Sequence, residues 1–237
     1  MRMKSVFESP FLLNGEVIRL IKEYRRSGSR MPILLFLGGG WNTGKSTNAI
    51  ILATQMGVVN VIHTDVVRSA LRVTLKKNER DCLMKATYEA WRCESRSFSN
   101  KAVGAGFLKQ SNLIAPAIRQ CIKEASDYGK DTIIEGMHLH PAIYYTIAQR
   151  LRCLFIWLKA KEEEVEKRIV KRCETSYRGR TPDRYLKNIR FNKIMAINNY
   201  LLNEARKNRL PILDLDSNED KETLSKMLFE YIISLRT

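Results

Sequence analysis

The sequence lacks the cysteine patterns that stabilise small secreted domains and the long apolar runs that hold a chain in a membrane. Its five cysteines are scattered, and no two of them form a C-x-x-C pair. This spacing argues against a disulfide framework or a zinc site and indicates a reducing compartment. No apolar run approaches the roughly 18 residues that a membrane span needs, and the N-terminal stretch MRMKSVFESPFLLNGE lacks a signal-peptide pattern. We therefore expect a cytoplasmic protein that has no membrane partner.

Internal repeats, low-complexity tracts and proline-rich linkers are also missing. The 237 residues suffice for one large domain, or one domain with a small insert, and for an unstapled core. Lys and Arg outnumber Asp and Glu by 41 to 25, which gives a net charge of +16. This excess suits anionic small substrates or nucleic acid, or is a solubility background, and no run of about five or six like charges decides between them. The sequence carries no signal for an oligomeric state.

What the chain does contain is a glycine-rich turn between an apolar run and a helix-like stretch. Residues 33–46 read ILLFLGGGWNTGKS, and positions 39–46 satisfy the pattern G-x-x-x-x-G-K-[ST]. In that pattern backbone N–H groups surround a phosphate, Lys45 reaches the β- and γ-phosphates, and the Ser46 hydroxyl holds Mg²⁺. We therefore predict a nucleoside triphosphate site formed by Gly39, Gly40, Trp41, Asn42, Thr43, Gly44, Lys45, Ser46 and Thr47.

Strand-like and helix-like stretches alternate along the chain. The pattern predicts strands at 33–37, 58–63, 131–135, 152–158 and 211–215, and helices at 14–26, 45–56 and 221–235. Helical periodicity also dominates residues 66–127, with breaks expected near 95–100 and 104–106. Strands separated by helices imply an α/β fold, in which a parallel sheet is covered on both faces.

Right-handed crossovers bring the carboxyl ends of parallel strands to one edge, where ligands bind. Strand two ends in His63-Thr64-Asp65, and Asp65 is predicted to orient or deprotonate an acceptor hydroxyl. The alternative role for Asp65 is a helix N-cap, which does not exclude the first. Arg68 and Arg72 are four residues apart and share a helix face, where two guanidinium groups suit a phosphate or carboxylate of the substrate.

Strand three ends in IIEGMHLHP, which adds a second group of candidates. Glu135 stands where an acid supports Mg²⁺, often through water, and Gly136 lets the backbone pass close to a ligand. His138 is predicted to contact an anionic substrate, whereas His140 is structural. The two histidines could instead form a metal pair, but no third ligand lies within sequence reach.

A charged stretch at residues 161–185 reads KEEEVEKRIVKRCETSYRGRTPDRY. Its cations alternate with glutamates, so one interpretation is a solvated helix with internal ion pairs. The other is a mobile lid whose arginines neutralise charge on a transferred phosphoryl group and exclude water. On that interpretation the catalytic arginines are Arg168, Arg172, Arg178 and Arg180.

Five segments, in this order, carry a resemblance to a known family. They are GGGWNTGKST, HTDVVRSALR, GFLKQSNLIAPAIRQCI, IIEGMHLHP and RYLKNIRFNKIMAINNYLLNEARKNRLPILD. Over roughly residues 30–216 the chain resembles the archaeal 2-phosphoglycerate kinase family. The phosphate loop alone is unspecific, whereas the E-G-x-H-L-x-P and RYL…I…N-Y-L segments are more diagnostic. The chain departs from the usual family pattern at Trp41-Asn42, His63, His140 and Ala142, near the acceptor side.

The resemblance implies an ATP- and Mg²⁺-dependent kinase that phosphorylates the 3-hydroxyl of 2-phosphoglycerate, giving 2,3-bisphosphoglycerate. It implies a three-layer P-loop NTPase fold like that of nucleoside monophosphate kinases, with a five-stranded parallel sheet in the order 2-3-1-4-5 and a helical lid. We divide the chain into an N-terminal helical extension at residues 1–30 and a kinase domain at 31–237, with the lid insert at about 160–186. Longer members carry an N-terminal ATP-cone domain, for which 30 residues are too few.

Two other classes of function compete with this interpretation. A polynucleotide 5′-hydroxyl kinase, or another RNA-acting P-loop enzyme, also places a strand-end Asp three residues before an Arg, as in T-D-V-V-R. The net charge of +16 would then serve the release of counterions from a phosphate backbone. The sequence has no basic stretch interleaved with aromatics, which argues against this class. A nucleotide-dependent switch is the third class, and it has no use for a carboxylate at the acceptor.

Overall fold

Apolar runs and turn residues divide the chain into strands and helices in the alternating order that the sequence predicts. The computed structural model describes residues 12–28, 31–175, 188–214 and 216–236, with side chains for all of these except 172–175 and 188–189. The order β2-β3-β1-β4-β5 and the parallel pairing of every neighbour confirm the predicted α/β fold and strand order. The strands are β1 (Leu34–Gly39), β2 (Asn60–His63), β3 (Thr132–Glu135), β4 (Leu154–Leu158) and β5 (Ile212–Leu213).

Helices connect the strands and cover both faces of the sheet. Before β1 comes α1 (Gly15–Arg26), whose N-cap Asn14 accepts a hydrogen bond from the Glu16 amide, as a short polar side chain does at that position. The others are α2 (Lys45–Met56), α3 (Thr64–Thr74), α4 (Lys77–Met84), a 3₁₀ helix (Thr87–Cys93), α5 (Asn100–Asp127), α6 (Pro141–Arg150), α7 (Glu162–Thr175), α8 (Asn188–Lys207) and α9 (Asn218–Ser234).

Alternation along β1 creates two cores, one on each face of the sheet. Leu35 and Leu37 point into a cluster formed with α1, α2 and α9. Phe36, between them, points into a second cluster formed with α4, α5, α6, α8 and the 3₁₀ helix. Because successive side chains of a strand point to opposite faces, a wholly apolar strand of this kind belongs between two helical layers. No helix among the described residues is both long and apolar enough to cross a membrane.

One predicted helix break is wrong and the other is confirmed. Residues 94–99 lie outside any helix, as expected, whereas α5 runs without interruption through Gly104 and Gly106. A Cβ atom on Gly106 would lie 2.1 Å from the Ala90 carbonyl oxygen, and one on Gly104 would lie 2.7 Å from the Tyr200 ring. These glycines therefore serve close packing against the 3₁₀ helix and α8, a tertiary demand that local propensity does not contain.

One disulfide is present among the described residues, although the spacing of the cysteines argued against a disulfide framework. Cys82, on α4, is bonded to Cys93, at the end of the 3₁₀ helix, with their Cα atoms 5.4 Å apart. The chain reverses between the two elements, so cysteines separated by 11 positions come together. Scattered spacing gave no sign of this pairing, because the turn between the elements, and not a motif, creates it.

Candidate active site

The glycine-rich turn after β1 forms a loop that curls over the N-terminus of α2. Gly44 takes a left-handed backbone conformation, with φ of 85°, immediately before the helix begins at Lys45. Glycine adopts this conformation without steric cost. The Lys45 ammonium is buried and donates to the Gly40 carbonyl at 2.5 Å, and the Thr43 hydroxyl donates to the same oxygen at 3.1 Å. The loop is therefore closed upon itself, with its lysine lying along its inner side.

The outer side of the loop is held by the helix α8. The Trp41 amide donates to Asn198 Oδ1 at 2.6 Å, and Asn198 Nδ2 donates back to the Trp41 carbonyl at 3.1 Å. The Trp41 ring packs edge-on against Tyr88, with 6.0 Å between ring centroids, and against the small apolar cluster of α7 and α8. Sequence analysis left open whether this ring stacks on a base or fills a gap, and in this structure it fills the gap.

Ser46 and Glu135 join the phosphate loop to the end of β3. The Ser46 hydroxyl donates to Glu135 Oε1 at 2.9 Å, and His63 Nδ1 lies 2.6 Å from the same oxygen. The other carboxylate oxygen, Oε2, is buried and has no hydrogen-bond partner among the described residues. An oxygen-rich pair with spare acceptor capacity suits Mg²⁺, which prefers carboxylate, hydroxyl and water oxygens. These two side chains therefore fit the predicted metal site.

Asp65 and His138 lie beside the cleft beyond the carboxyl ends of the paired strands β2 and β3, the place where parallel sheets of this kind bind ligands. The Asp65 side chain is 73 % exposed, and its Oδ1 lies 3.7 Å from Nδ1 of His138, which has no exposed surface. Burial, followed by the positive charge of Arg68, lowers the pKa of His138 to about 3. His138 is thus neutral at physiological pH, and neither ring nitrogen has a hydrogen-bond partner among the described residues.

The two arginines of α3 converge on the end of α4. Arg68 is buried, and it donates from Nε and Nη2 to the Leu83 carbonyl at 3.1 and 2.8 Å and from Nη2 to the Lys85 carbonyl. Arg72 Nε donates to the same Leu83 oxygen at 3.0 Å. Cations at the carbonyl end of a helix satisfy unpaired acceptors and the helix dipole. Burial, then the neighbouring charge of Arg72, lowers the pKa of Arg68 to about 10.

Gly136 follows Glu135 in a conformation, φ of 147°, that side-chain-bearing residues rarely adopt. A Cβ atom there would lie 1.7 Å from the Thr64 hydroxyl, so the close approach made in this structure is to Thr64. The Thr64 hydroxyl is buried and has no hydrogen-bond partner within the described part of the chain. Gly136 therefore lets the strand end and the start of α3 meet beside the cleft.

From α7, Arg168 reaches the outer edge of the phosphate loop. Its Nη1 donates to the Asn42 carbonyl at 3.0 Å, while Nη2 lies 2.6 Å from both carboxylate oxygens of Asp216. Arg172 lies on α7, but its side chain is outside the described residues, as are Arg178 and Arg180 altogether. Gly39 ends β1, and Thr47 is exposed in the first turn of α2.

Three residues make contacts within the site that were not predicted. Asn198 lies in the family-like segment after the charged stretch, where sequence analysis gave it no role. Asp216 follows β5 in the run DLDSNED, an acidic patch that only the long-range contact to Arg168 makes meaningful. His63 attracted notice as a departure from the family pattern, and its position opposite Glu135 in the parallel register of β2 and β3 explains the contact.

Comparison with known proteins gives a consistent group of relatives, although no protein-family model matches the chain. It is 31% identical to the 2-phosphoglycerate kinase of Pyrococcus furiosus over 185 residues, covering 78% of this chain and 60% of the relative. The corresponding enzyme of Pyrococcus horikoshii is 29% identical, covering 84% of this chain and 64% of the relative. That of Methanocaldococcus jannaschii is 30% identical, covering 92% and 70%.

The chain spans between 60% and 64% of the length of the two Pyrococcus relatives, and 70% of the Methanocaldococcus one. Kinases use a nucleotide as phosphoryl donor, and the loop from Gly39 to Ser46 is the part of this chain that suits one. Identity of 30% with the Methanocaldococcus enzyme, over 92% of this chain and 70% of that relative, shows that the chain belongs to the archaeal 2-phosphoglycerate kinase family.

Proposed function

We propose that the chain is an ATP-dependent kinase that transfers the γ-phosphoryl group of ATP to the 3-hydroxyl of 2-phosphoglycerate, giving 2,3-bisphosphoglycerate. The observation that carries this proposal is the meeting of three groups at one sheet edge in a member of this family. These groups are the phosphate-loop lysine Lys45, the Ser46–Glu135 pair, and Asp65 in the first turn of α3, just after β2. Phosphoryl transfer needs positioned reactants and stabilised charge more than covalent chemistry, and these groups suit both needs.

The loop from Gly39 to Ser46 would bind the phosphates of ATP. Its backbone amides and the N-terminus of α2 offer the positive ends of peptide dipoles. Lys45 now donates to the Gly40 carbonyl, and a phosphate would replace that neutral acceptor with a charged one. The gain favours release of the lysine from its own loop when the nucleotide binds.

Ser46 and Glu135 would hold Mg²⁺, the second because its Oε2 is buried and unsatisfied. Bound there, Mg²⁺ would neutralise charge on the β- and γ-phosphates and orient them. His63, 2.6 Å from Glu135 Oε1, keeps that carboxylate directed toward Ser46. Both contacts would position the carboxylate before any ligand arrives.

Asp65 would accept the proton of the 3-hydroxyl, or orient that hydroxyl for in-line attack. Its exposed carboxylate reaches into the cleft, whereas His138 lies behind it as a neutral imidazole. His138 has no exposed surface, so it would act on the acceptor only through Asp65, whose Oδ1 lies 3.7 Å from its Nδ1. Gly136 supports this arrangement by giving Thr64 room at the start of α3.

Arg72 would bind the phosphate or carboxylate of the acceptor, and the buried Arg68 would add positive charge beneath the surface. Arg68 donates from both Nε and Nη2 to the carbonyls at the end of α4. Among the described residues Arg72 makes one such bond, from Nε. Arg168 would stabilise the transferred phosphoryl group from the α7 side, joined by Arg172, Arg178 and Arg180. The region from about 160 to 186 would then serve as the lid.

The test is ATP consumption by the purified chain with 2-phosphoglycerate, 3-phosphoglycerate, glycerate and 5′-hydroxyl RNA as separate acceptors, with and without Mg²⁺. We expect Mg²⁺-dependent turnover with 2-phosphoglycerate alone, and ³¹P NMR should identify 2,3-bisphosphoglycerate as the product. Turnover with the RNA instead would support the polynucleotide kinase alternative and overturn the proposal. A preference for 3-phosphoglycerate would retain the kinase and refute the proposed acceptor hydroxyl.

A further inference from the structure

Asn198 occupies a fixed place on a helix that is buried along one side. Ile194, Ile197 and Leu201, within one turn of it on α8, are all at most 1 % exposed. Two residues further on, the Tyr200 hydroxyl lies 2.9 Å from His140 Nε2, so the same turn of α8 also contacts the loop that follows β3. A side chain on such a helix is held more precisely than one on a loop.

This side chain satisfies both backbone groups of one residue in the phosphate loop. Asn198 Oδ1 accepts from the Trp41 amide at 2.6 Å, and its Nδ2 donates to the Trp41 carbonyl at 3.1 Å. A primary amide is suited to this because it carries a donor and an acceptor side by side. The pair of bonds fixes the orientation of Trp41 relative to α8, across 157 positions of sequence.

The loop sequence leaves room for this contact. A Cβ atom on Gly40 would lie 2.4 Å from Asn198 Oδ1 and 2.5 Å from its Cγ. Such distances are far inside van der Waals contact, so any side chain at position 40 would displace the amide. The contact between the Asn198 amide and the loop therefore requires glycine at position 40.

The Trp41 side chain reinforces the same arrangement. Its ring contacts Tyr88 on the 3₁₀ helix and packs with the cluster of Val165, Ile169 and Ile194. The backbone of Trp41 is thus fixed by α8, and its ring by α7, α8 and the 3₁₀ helix. Both contacts are made by groups of the protein itself, and such contacts reduce the ordering cost of binding a ligand.

We infer that Asn198 is a positioning residue that sets the shape of the phosphate loop before nucleotide binds. Its amide makes both of its hydrogen bonds to the Trp41 peptide and acts through that peptide. The inference rests on the proposed function only in requiring that the loop bind nucleotide phosphates. Its consequence is specific: loss of the amide weakens binding of the nucleotide and leaves the acceptor KM unchanged.

Calorimetric titration with ADP and Mg²⁺, without acceptor, tests this inference apart from the identity of the acceptor. For Asn198→Ala we expect an ADP Kd raised on the order of tenfold, since two neutral hydrogen bonds are lost. Asn198→Asp should bind ADP more weakly still, because the carboxylate cannot donate to the Trp41 carbonyl and repels the phosphates. Asn199, the exposed next residue of α8, gives matched controls in Asn199→Ala and Asn199→Asp, which should bind as the wild type does.

A double substitution separates positioning from general damage to the fold. Gly40→Ala alone should weaken ADP binding about as much as Asn198→Ala does, because the new Cβ expels the amide. In Asn198→Ala the two closest of these atoms are gone, and the Cβ of residue 198 lies 3.1 Å from the new Cβ. In that background Gly40→Ala should therefore raise the ADP Kd less than threefold. Its effect should be clearly smaller than in the wild-type background, because substitutions at two residues in contact are not additive.

The outcomes decide the matter even if one variant folds poorly. Unchanged ADP affinity in Asn198→Ala, or effects of Gly40→Ala and Asn198→Ala that simply multiply, would overturn the inference. An Asn198→Ala enzyme with a raised ATP KM and an unaltered acceptor KM would support it. If that enzyme is unstable by circular dichroism, Gly40→Ala and Asn198→Asp supply the same comparison. Failure of every acceptor in the kinase assay would refute the proposed function and leave the ADP titrations interpretable.

Discussion

Arg168 and Asp216 form an ion pair at the rim of the phosphate loop, in which a single guanidinium nitrogen, Nη2, lies 2.6 Å from both carboxylate oxygens. The same guanidinium donates from Nη1 to the Asn42 carbonyl at 3.0 Å. A planar guanidinium held at both ends is restricted in orientation, which lowers the entropy lost when it meets a phosphoryl group. Asp216 would therefore position Arg168 over the nucleotide.

Arg168→Ala should lower kcat by about 10²-fold if the guanidinium stabilises charge in the transition state. Asp216→Asn should lower kcat by about threefold to tenfold, because the pair is partly exposed and the side chain keeps one acceptor. In the Arg168→Ala background, Asp216→Asn should have no further effect. Steady-state kinetics of the four enzymes checks this, with Glu219→Gln, an exposed change on α9, as the charge control. An equal effect of Asp216→Asn in both backgrounds would contradict the positioning role.

Lys45 is expected to be the most sensitive residue of the loop. Lys45→Ala removes the charge nearest the transferred phosphoryl group, and one such contact is worth about 10²–10³ in kcat. The ammonium also bonds to the Gly40 carbonyl, so circular dichroism should establish that the variant is folded before its kinetics are interpreted. Turnover within threefold of wild type in a folded variant would remove Lys45 from the catalytic group.

The fold was predictable where local pattern and topology suffice. The apolar run before the loop and the strand-end residues Asp65 and Glu135 follow from periodicity and from the rule that parallel strands end at one edge. Contacts between distant segments were not predictable. Asn198 meets Trp41 across 157 positions, and no periodicity encodes that distance. The passage of α5 through Gly106 likewise depends on the neighbour Ala90, not on the propensity of glycine.

Asp65→Asn tests the proposed proton acceptor with little change of shape. The side chain is 73 % exposed, so the substitution should leave the free energy of unfolding nearly unchanged. A general base contributes a factor of about 10²–10⁴ to turnover, and we expect Asp65→Asn to lower kcat by a factor in that range. The Kd for ADP should stay at the wild-type value. A variant with normal kcat would show that Asp65 neither accepts the proton nor orients the hydroxyl.

Arg68 and Arg72 should separate into a structural and a binding residue. Arg68→Ala removes the buried donor of three hydrogen bonds to the Leu83 and Lys85 carbonyls, which keep Arg72 Nε and Gln110 Nε2 respectively, and should cost about 2–4 kcal/mol in the free energy of unfolding. Arg72→Ala should cost less than about 1 kcal/mol and raise the acceptor KM about tenfold or more. Urea denaturation and acceptor kinetics of both variants check this. Equal KM effects at equal stability loss would assign the two arginines the same role.

Two buried histidines make the stability of the folded chain dependent on pH. Burial is the main cause that lowers the pKa of His138 to about 3 and that of His140 to about 4, from an ordinary value of 6.5. Below pH 6.5 the unfolded chain binds protons that the folded chain does not, so the free energy of unfolding decreases as the pH falls toward these values. At pH 5 each histidine should cost about 2 kcal/mol relative to pH 7.5.

His138→Gln removes one of these two titrating groups. The free energy of unfolding of the variant should therefore change less with pH. Urea denaturation at pH 7.5, 6.0 and 5.0 gives the free energy of unfolding of both proteins under matched conditions. Wild type should lose about 2 kcal/mol more than His138→Gln between the first and last of these, even if the variant is less stable throughout. Carboxylates contribute to both proteins alike and cancel in the comparison. Parallel curves would mean that His138 becomes charged in the folded chain as readily as in the unfolded one, which its complete burial beside Arg68 makes unfavourable.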